Sequence, residues 1–269
     1  MSVREEILRD VDPQAGSVLL PDISIQDNEP GALPATFLLG GQTFSIETRL
    51  TPHSPFDGKV AERYLATDAS GNQVCLSVFP ADDYLRTNRS FGEAERWRYA
   101  HECFLHEPQV LVRLEAYERA IGTHYFPRLV SSITNLNAGR PAYATEFFPG
   151  TSYKLTELDL ADVERVADMF RAALRIGHEA GVAFTDLSVD DLRLVPTPDG
   201  SDYQARIIDF NASQWLSPET RASQIHEDVQ HLDRLLTLIL LDHRGRFIDR
   251  YGSEAFGATN PKPAYLIQP

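Results

Sequence analysis

Two acidic loops on either side of a short predicted strand pair constrain the fold of this 269-residue chain most strongly. The first loop, Phe184 to Asp191, follows a segment with helical periodicity, and the second begins at Asp209 in the sequence Ile-Ile-Asp-Phe-Asn. Between the loops, Leu192 to Val195 and Ala205 to Ile208 flank a Pro-Thr-Pro-Asp-Gly turn, so they are predicted to pair as strands.

Composition excludes some classes of partner. The formal net charge is -14, from 25 Lys and Arg against 39 Asp and Glu. Binding to nucleic acid or to anionic lipid depends on clustered positive charge, so neither is expected as a main partner. The hydrophobic fraction of 42% is sufficient for a substantial core.

The two cysteines, Cys75 and Cys103, lack the spacing of a metal site or a disulfide framework, so both are predicted to be buried free thiols. No apolar run approaches the roughly 18 residues that a membrane span requires, and the first residues lack an apolar signal core. These features predict a soluble chain in a reducing, cytoplasmic compartment. Delivery to another cell is left open as an alternative.

The N-terminal half is predicted to be mainly sheet. Residues 1–42 are expected to form an extended arm or linker after a short helix that begins at Ser2, because the stretch is rich in Pro and Gly and has little periodicity. One or two helices are expected over Glu93 to Ile121. Strands are expected at Phe44 to Leu50, Val60 to Ala66, Gln73 to Phe79, Arg128 to Ile133 and Ala142 to Phe147.

The C-terminal half, after Pro149-Gly150, is predicted to be largely helical. One helix, capped by Thr156 or Asp159, should end at Ala180-Gly181. A second helix is predicted from about Gln224 to Leu241, followed by a tail without strong periodicity. The residues of this second helix that are expected to face inward are Val229, Leu232, Leu235, Leu236, Ile239 and Leu240.

The two loops resemble the catalytic loop and the metal-binding loop of protein kinases. Asp186-Leu187 and Asp209-Phe210 hold the letters of the family's H-R-D-L and D-F-G signatures. The resemblance implies an α+β, two-lobed protein-kinase-like fold as one bilobal domain. A small antiparallel-sheet N-lobe would span 43–148, and a truncated, mainly helical C-lobe with a tail would span 149–269.

The resemblance also implies site residues. Asp186 and Asp191 match the catalytic loop, and Asp209 and Asp191 match the positions that hold a metal ion. Asp228 matches a helix aspartate that supports the catalytic loop in this family. The positions that would line a nucleotide cleft are Gly58, Val60, Cys75, Ser77, Glu107, Thr145, Glu146, Phe147, Arg193 and Ile208.

Several replacements weaken the implied chemistry. Phosphoryl transfer depends on positioning and on neutralising phosphate charge, and Ser77 stands where the family has its phosphate-binding lysine. His53 and Pro55 replace the first two glycines of the phosphate-covering loop. Asp191 replaces the metal-binding asparagine, which keeps an oxygen ligand but adds negative charge near Asp186 and Asp209.

Two cations could compensate for the missing lysine. Strand alternation directs Arg193 away from Leu192 and Leu194, towards the expected cleft. There it would either obstruct the cleft and pair with Asp209 or Glu107, or bind a phosphate-bearing ligand. Lys59 is adjacent to Val60, which should face the cleft, so Lys59 is expected to face solvent.

Two hypotheses follow. In the first, the chain is a pseudokinase with impaired phosphotransfer that binds or regulates a partner protein. In the second, it is an atypical ATP-dependent phosphotransferase that uses Asp186 and Asp209, with Mg²⁺ or Mn²⁺ and ATP as cofactors. The first hypothesis allows that no cofactor binds at all.

Overall fold

The structure, a computed structural model, describes residues 36–50, 61–79, 93–133, 141–152 and 160–251. Side chains are described for these residues except at 93–99, 133, 151–152, 160–161 and 240–251. The chain divides into two compact units. Unit 1 comprises Met1–Phe147 with Phe210–Ala212, and unit 2 comprises Phe148–Asp209 with Ser213–Pro269.

Unit 1 is built on a six-stranded antiparallel sheet with the strand order β1-β2-β3-β4-β6-β5. Helix α1 (Glu93–Ile121) lies between β4 and β5 in the chain. The strands are β1 (Thr36–Leu39), β2 (Gln42–Arg49), β3 (Glu62–Thr67), β4 (Gln73–Val78), β5 (Leu129–Ile133) and β6 (Ala142–Glu146).

Alternation gives the sheet of unit 1 two different faces. One face carries a hydrophobic cluster that includes Phe44, Ala66, Leu76 and Ala144, each fully buried. On the other face, Phe104 of α1 packs against the Tyr143 ring with centroids 4.9 Å apart. Helix α1 is therefore fixed to the face that carries Tyr143.

Unit 2 contains two long helices and two small sheets. Helix α2 spans Leu160–Glu179 and helix α3 spans Arg221–Tyr251. A three-stranded sheet has the order β10-β9-β7, and a two-stranded sheet has the order β11-β8. The strands are β7 (Thr151–Ser152), β8 (Val182–Ala183), β9 (Leu192–Pro196), β10 (Tyr203–Ile207) and β11 (Gln214–Trp215).

The core of unit 2 forms where α2 contacts both β10 and α3. Helix α2 ends where the sequence predicts, because Gly181 adopts a left-handed φ of 90° and its N–H bonds to the carbonyl of His178 at 3.1 Å. The fully buried side chains of this core include Phe170, Leu174, Leu192, Ile207 and Leu232. The chain therefore has the expected α+β class and element order, with each unit holding its own core.

Three predictions require correction. Part of the predicted arm at 1–42 forms β1, which pairs with β2 through a two-residue turn at Gly40-Gly41. Both glycines have positive φ, 60° and 75°, as the tightest hairpin turns require. Helix α3 continues ten residues past Leu241 to Tyr251, and Val229 on this helix is 41% exposed rather than inward.

Other predictions fall partly outside the described residues. The helix expected from Ser2, the cap of α2 at Thr156 or Asp159, and Lys59 lie there, and so does the side chain of Leu240. Glu93–Ile121 is one helix that continues through Pro108. No helix in the described ranges is long and apolar enough to span a membrane.

Candidate functional site

The loop that follows β8 in unit 2 alternates buried anchors with exposed polar residues. Phe184 and Leu187 are 4% and 6% exposed, whereas Thr185 and Asp186 between them are exposed in a turn. The Asp186 carboxylate forms no hydrogen bond or ion pair with any residue of the described part of the chain. Burial of the two hydrophobic side chains therefore presents Asp186 to solvent on a fixed backbone.

A buried carboxylate on α3 holds this loop. Oδ2 of Asp228 accepts the backbone N–H of Phe184 at 2.8 Å and lies 2.8 Å from Nε2 of His178 on α2. Asp228 and His178 are 5% and 4% exposed, so both hydrogen bonds lie out of water. One acceptor thus ties helix α3 to helix α2 and to the first residue of the loop.

Two further contacts support the same region. His231, three residues after Asp228, places Nε2 2.6 Å from the carbonyl oxygen of Leu187. Arg221 at the start of α3 donates from its guanidinium to the carbonyl of His178 at 2.9 Å. Asp228 and His231 hold the loop backbone on either side of Asp186, which is the residue that the sequence predicts to be catalytic.

Asp191 forms hydrogen bonds that stabilise its own loop. It ends a single 3-10 turn, Val189–Asp191, and its Oδ2 accepts the N–H of Ser188 at 2.7 Å. Its backbone carbonyl accepts the N–H of Ile208, which directly follows β10, at 3.0 Å. The loop is therefore joined to the residue that immediately precedes Asp209.

Asp209 has an unusual backbone conformation. Its φ of 68° makes it the one non-glycine residue of the described ranges with positive φ. Such conformations carry a steric cost and are concentrated at functional sites. The next residue, Phe210, is buried in unit 1, where its ring meets Phe126 edge-to-face at 5.7 Å.

Asp186, Asp191 and Asp209 are the three aspartates that the sequence predicts to be catalytic or metal-binding. Within the described ranges, no group of three or more His, Cys, Asp or Glu is arranged to hold a metal ion. Asp186, Asp191 and Asp209 are therefore not members of such a group of three. The assignment of Asp209 and Asp191 as metal ligands remains a prediction.

In unit 1, residues predicted to line a cleft share one face of the sheet. Cys75 and Ser77 alternate on β4, and Thr145 lies opposite Cys75 in the register with β6. Ser77 is 2% exposed and lies opposite Tyr143 on β6 and Arg63 on β3. This face therefore carries an arginine and a tyrosine beside the position where a lysine was expected.

The Glu107 carboxylate on α1 contacts two side chains on that face of the sheet. Tyr143 donates its hydroxyl hydrogen to Oε2 of Glu107 at 2.6 Å, and Nη2 of Arg63 lies 3.9 Å from the same oxygen. Glu107 is 5% exposed and Tyr143 is 2% exposed. Burial, and then the negative charge of Glu107, raise the pKa of Tyr143 well above its usual value, so the hydroxyl keeps its proton.

Sequence reasoning missed both Arg63 and Tyr143. Residues two apart on a strand share a face, so Tyr143 could have been placed beside Thr145 from alternation alone. Arg63 gave no such signal, because its position opposite Ser77 depends on the register between β3 and β4. We define Glu107, Tyr143 and Arg63 as the glutamate cluster.

The remaining predicted cleft residues are located as follows. Glu146, at the end of β6, pairs with Nε2 of His124 at 2.8 Å. Burial acts to raise the pKa of Glu146, but the hydrogen bond and charge of His124 and the contacts with Arg128 outweigh it, and the pKa is lowered. Arg193 on β9, Phe147 and Ile208 are half-buried, and Gly58 and Val60 lie outside the described residues.

Replacing Asp228 by alanine should destabilise the protein by about 3 kcal/mol, because the Phe184 N–H and His178 would lose their shared buried acceptor. Urea unfolding followed by circular dichroism measures the loss. Asp233→Ala is the matched control on the same helix, since its ion pair with Arg171 is half exposed and should be worth under about 1 kcal/mol. Equal losses in the two variants would contradict the anchoring role.

Tyr143→Phe should cost about 1–3 kcal/mol by removing one hydrogen bond from the buried Glu107 carboxylate. The folded-state pKa of Tyr143 is raised, so wild-type stability should fall as the pH rises above about 10, where the unfolded tyrosine ionises. The difference in unfolding free energy between wild type and Tyr143→Phe should therefore shrink there.

The control for this variant is Tyr203→Phe. The Tyr203 hydroxyl makes no hydrogen bond with the described residues, so its removal should leave stability nearly unchanged. Unfolding is measured in urea at neutral pH and at several values above 10. A constant difference between wild type and Tyr143→Phe across that range would contradict the buried tyrosine–glutamate bond.

No protein family model matches this sequence, and no curated protein matches it. Among solved structures, the chain resembles the Rio2 kinase of Chaetomium thermophilum, crystallised with ADP, Mg²⁺ and phosphoaspartate. The identity is 15% and the TM-score is 0.49, covering 82% of this chain and 60% of the Rio2 chain. The chain thus spans 60% of that structure's length.

The PknI kinase domain of Mycobacterium tuberculosis is similar at 16% identity and a TM-score of 0.49, with 78% of each chain covered. At this level of similarity, the two structures assign neither an activity nor a ligand to this chain.

Proposed function

We propose that this chain is a protein-kinase-like protein with impaired phosphotransfer, and that it acts by binding and regulating a partner protein. One observation carries this proposal. Ser77, at the position of the expected phosphate-binding lysine, is buried and uncharged. The acid that would pair with such a lysine, Glu107, is bonded to Tyr143 instead.

The glutamate cluster explains why loss of the lysine does not leave a buried charge uncompensated. A lone buried carboxylate is costly, and removal of one member of a buried pair normally destabilises a fold by several kcal/mol. Here the Tyr143 hydroxyl and the Arg63 guanidinium offset that cost. These contacts support the proposal that helix α1 stays packed against the sheet of unit 1 when no nucleotide is bound.

The residues present do not fit Mg²⁺–ATP in the ordinary kinase arrangement. That arrangement needs a cation on the phosphates together with carboxylates that hold the metal. The buried Ser77 supplies no such cation. The proposal therefore includes no catalytic step that depends on the metal.

Under this proposal, the loop that carries Asp186 has a structural role. Asp228 and His231 fix the backbone around Asp186, and Asp191 links that loop to the end of β10. A rigid loop with an exposed aspartate is a suitable contact point for another protein, because little order has to be gained on binding. The acidic net charge of -14 favours a partner with a basic surface.

The alternative is an atypical ATP-dependent phosphotransferase that uses Asp186 and Asp209. Two observations favour it: the Asp186 carboxylate is exposed, and Asp209 keeps a costly positive φ. Both features would suit an aspartate that contacts a substrate or an ion.

Incubation with ATP and either Mg²⁺ or Mn²⁺ should give no product above that formed by Asp186→Ala, as measured by mass spectrometry of the protein and by release of ADP. The reason is that a buried serine at position 77 cannot neutralise phosphate charge. Asp190→Ala is the control, since it removes a neighbouring exposed acid that the proposal does not use. Turnover that Asp186→Ala abolishes and Asp190→Ala keeps would establish the transferase.

A partner recovered by cross-linking from the producing cells should bind the purified chain equally well with and without ATP. Calorimetry measures the dissociation constant with wild type and with Asp209→Ala. We expect the two values to agree within about threefold, which is under about 0.7 kcal/mol. A partner that binds only in the presence of nucleotide, or only to a chain with intact Asp209, would contradict a scaffold that works without nucleotide.

A further inference from the structure

The turn that joins β9 to β10 contains an aspartate followed by a glycine, Asp199-Gly200. The sequence has one other such step, Asp57-Gly58, which lies outside the described residues. Glycine has no side chain to shield its backbone nitrogen. An aspartate before glycine is therefore unusually open to attack on its own carboxyl group by the next residue of the chain.

This attack converts aspartate into isoaspartate. The backbone nitrogen of Gly200 forms a bond to Cγ of Asp199, and the carboxyl hydroxyl leaves as water together with the amide hydrogen. The cyclic imide that results adds one water molecule at either of its two carbonyl carbons. One opening restores aspartate, and the other leaves the main chain running through Cβ and Cγ. The protonated carboxyl group is the reactive form, because it carries the hydroxyl that leaves.

The carboxylate of Asp199 is held by three hydrogen bonds. The Thr197 hydroxyl donates to Oδ1 at 2.6 Å, the Ser201 N–H donates to Oδ1 at 3.1 Å, and the Ser201 hydroxyl donates to Oδ2 at 2.8 Å. These bonds, that of Thr197 first, lower the pKa of Asp199 to about 2. The reactive form is therefore roughly tenfold to a hundredfold rarer than for an ordinary aspartate at the same pH.

The attacking nitrogen is held as well. The Gly200 N–H donates to the carbonyl of Thr197 at 2.8 Å, and Pro198 between them fixes its own φ. Gly200 has a φ of 68°, and a Cβ there would meet no atom within 4 Å. The turn thus needs glycine for its backbone conformation and not for space, and this need places the reactive step here.

We propose that Asp199 is a site of spontaneous isomerisation to isoaspartate, and that the hydroxyl groups of Thr197 and Ser201 slow it by holding the carboxylate in hydrogen bonds. Both hydroxyls belong to the turn itself, so the protection does not depend on a ligand or on a partner protein.

The modification would affect the hairpin that joins the two acidic loops. Strand β9 begins directly after Asp191, and β10 ends two residues before Asp209. Isoaspartate adds one atom to the main chain in the turn, next to strands whose register buries Leu194 opposite Ala205. The inference goes beyond the proposed function, because a regulatory protein and a transferase would each depend on an intact hairpin.

Peptide mapping by mass spectrometry after incubation at mildly acidic pH measures isoaspartate at position 199. Ser201→Ala and Thr197→Val should each form it about threefold faster than wild type or more, because loss of one hydrogen bond raises the carboxyl pKa by about half a unit or more. Thr197→Ser keeps the hydroxyl and should react at the wild-type rate.

The matched control is Arg165→Met. Arg165 on α2 binds both carboxylate oxygens of Asp202, the other acid of this turn, at 2.9 and 2.8 Å. Its removal loosens the attachment of the turn to α2 but leaves the three bonds to Asp199, so the rate should match wild type. Circular dichroism checks that each variant is folded. Should Thr197→Val not fold, Ser201→Ala carries the test, since the exposed Ser201 side chain bonds only to Asp199 among the described residues.

Three results would overturn the proposal. One is a rate in Ser201→Ala that equals the wild-type rate. Another is equal acceleration in Ser201→Ala and Arg165→Met, which would assign the protection to stiffness of the turn instead of to the hydroxyl groups. The third is a folded wild type that isomerises at position 199 as fast as the same chain unfolded in urea.

Discussion

The buried carboxylate of Asp228 is the contact on which the architecture of unit 2 depends. It accepts a hydrogen bond from the backbone of Phe184 and pairs with His178, so one side chain joins helix α3, helix α2 and the loop that carries Asp186. In a low-dielectric interior, such a shared acceptor is strong when satisfied and costly when lost. The loop is held further by His231, which contacts the carbonyl of Leu187, and by the Asp191 carboxylate, which accepts the N–H of Ser188.

The long elements and their order could be predicted from the sequence, because hydrophobic periodicity encodes them directly. Strand β4 begins at Gln73 and helix α1 spans Glu93–Ile121, both as the pattern indicates. Strand β1 was missed because its four residues follow a Pro-rich stretch, although Gly40-Gly41 is a strong hairpin signal. The extension of α3 was missed because its apolar periodicity ends near Leu241 while the helix continues to Tyr251.

The candidate site was only partly predictable. Asp186 and Asp209 could be recognised from the sequence because they lie in the two acidic loops. Asp228 could be recognised because it is an acidic residue on the inward face of a helix whose other inward residues are apolar, four residues before Leu232. The glutamate cluster depends on cross-strand register, which a single sequence does not specify. A shift of one residue in the pairing of β3 with β4 would place Arg63 on the opposite face of the sheet. These contacts therefore emerge only in three dimensions.

The left-handed backbone at Asp209 has a consequence for how this position can change over generations. A glycine would adopt the same φ without the steric cost of about 1 kcal/mol that a side chain brings. If the carboxylate contributed nothing, glycine would be the residue that relieves this main-chain cost. An aspartate that is kept at this position therefore indicates that its carboxylate is worth more to the protein than the main-chain strain that glycine would relieve.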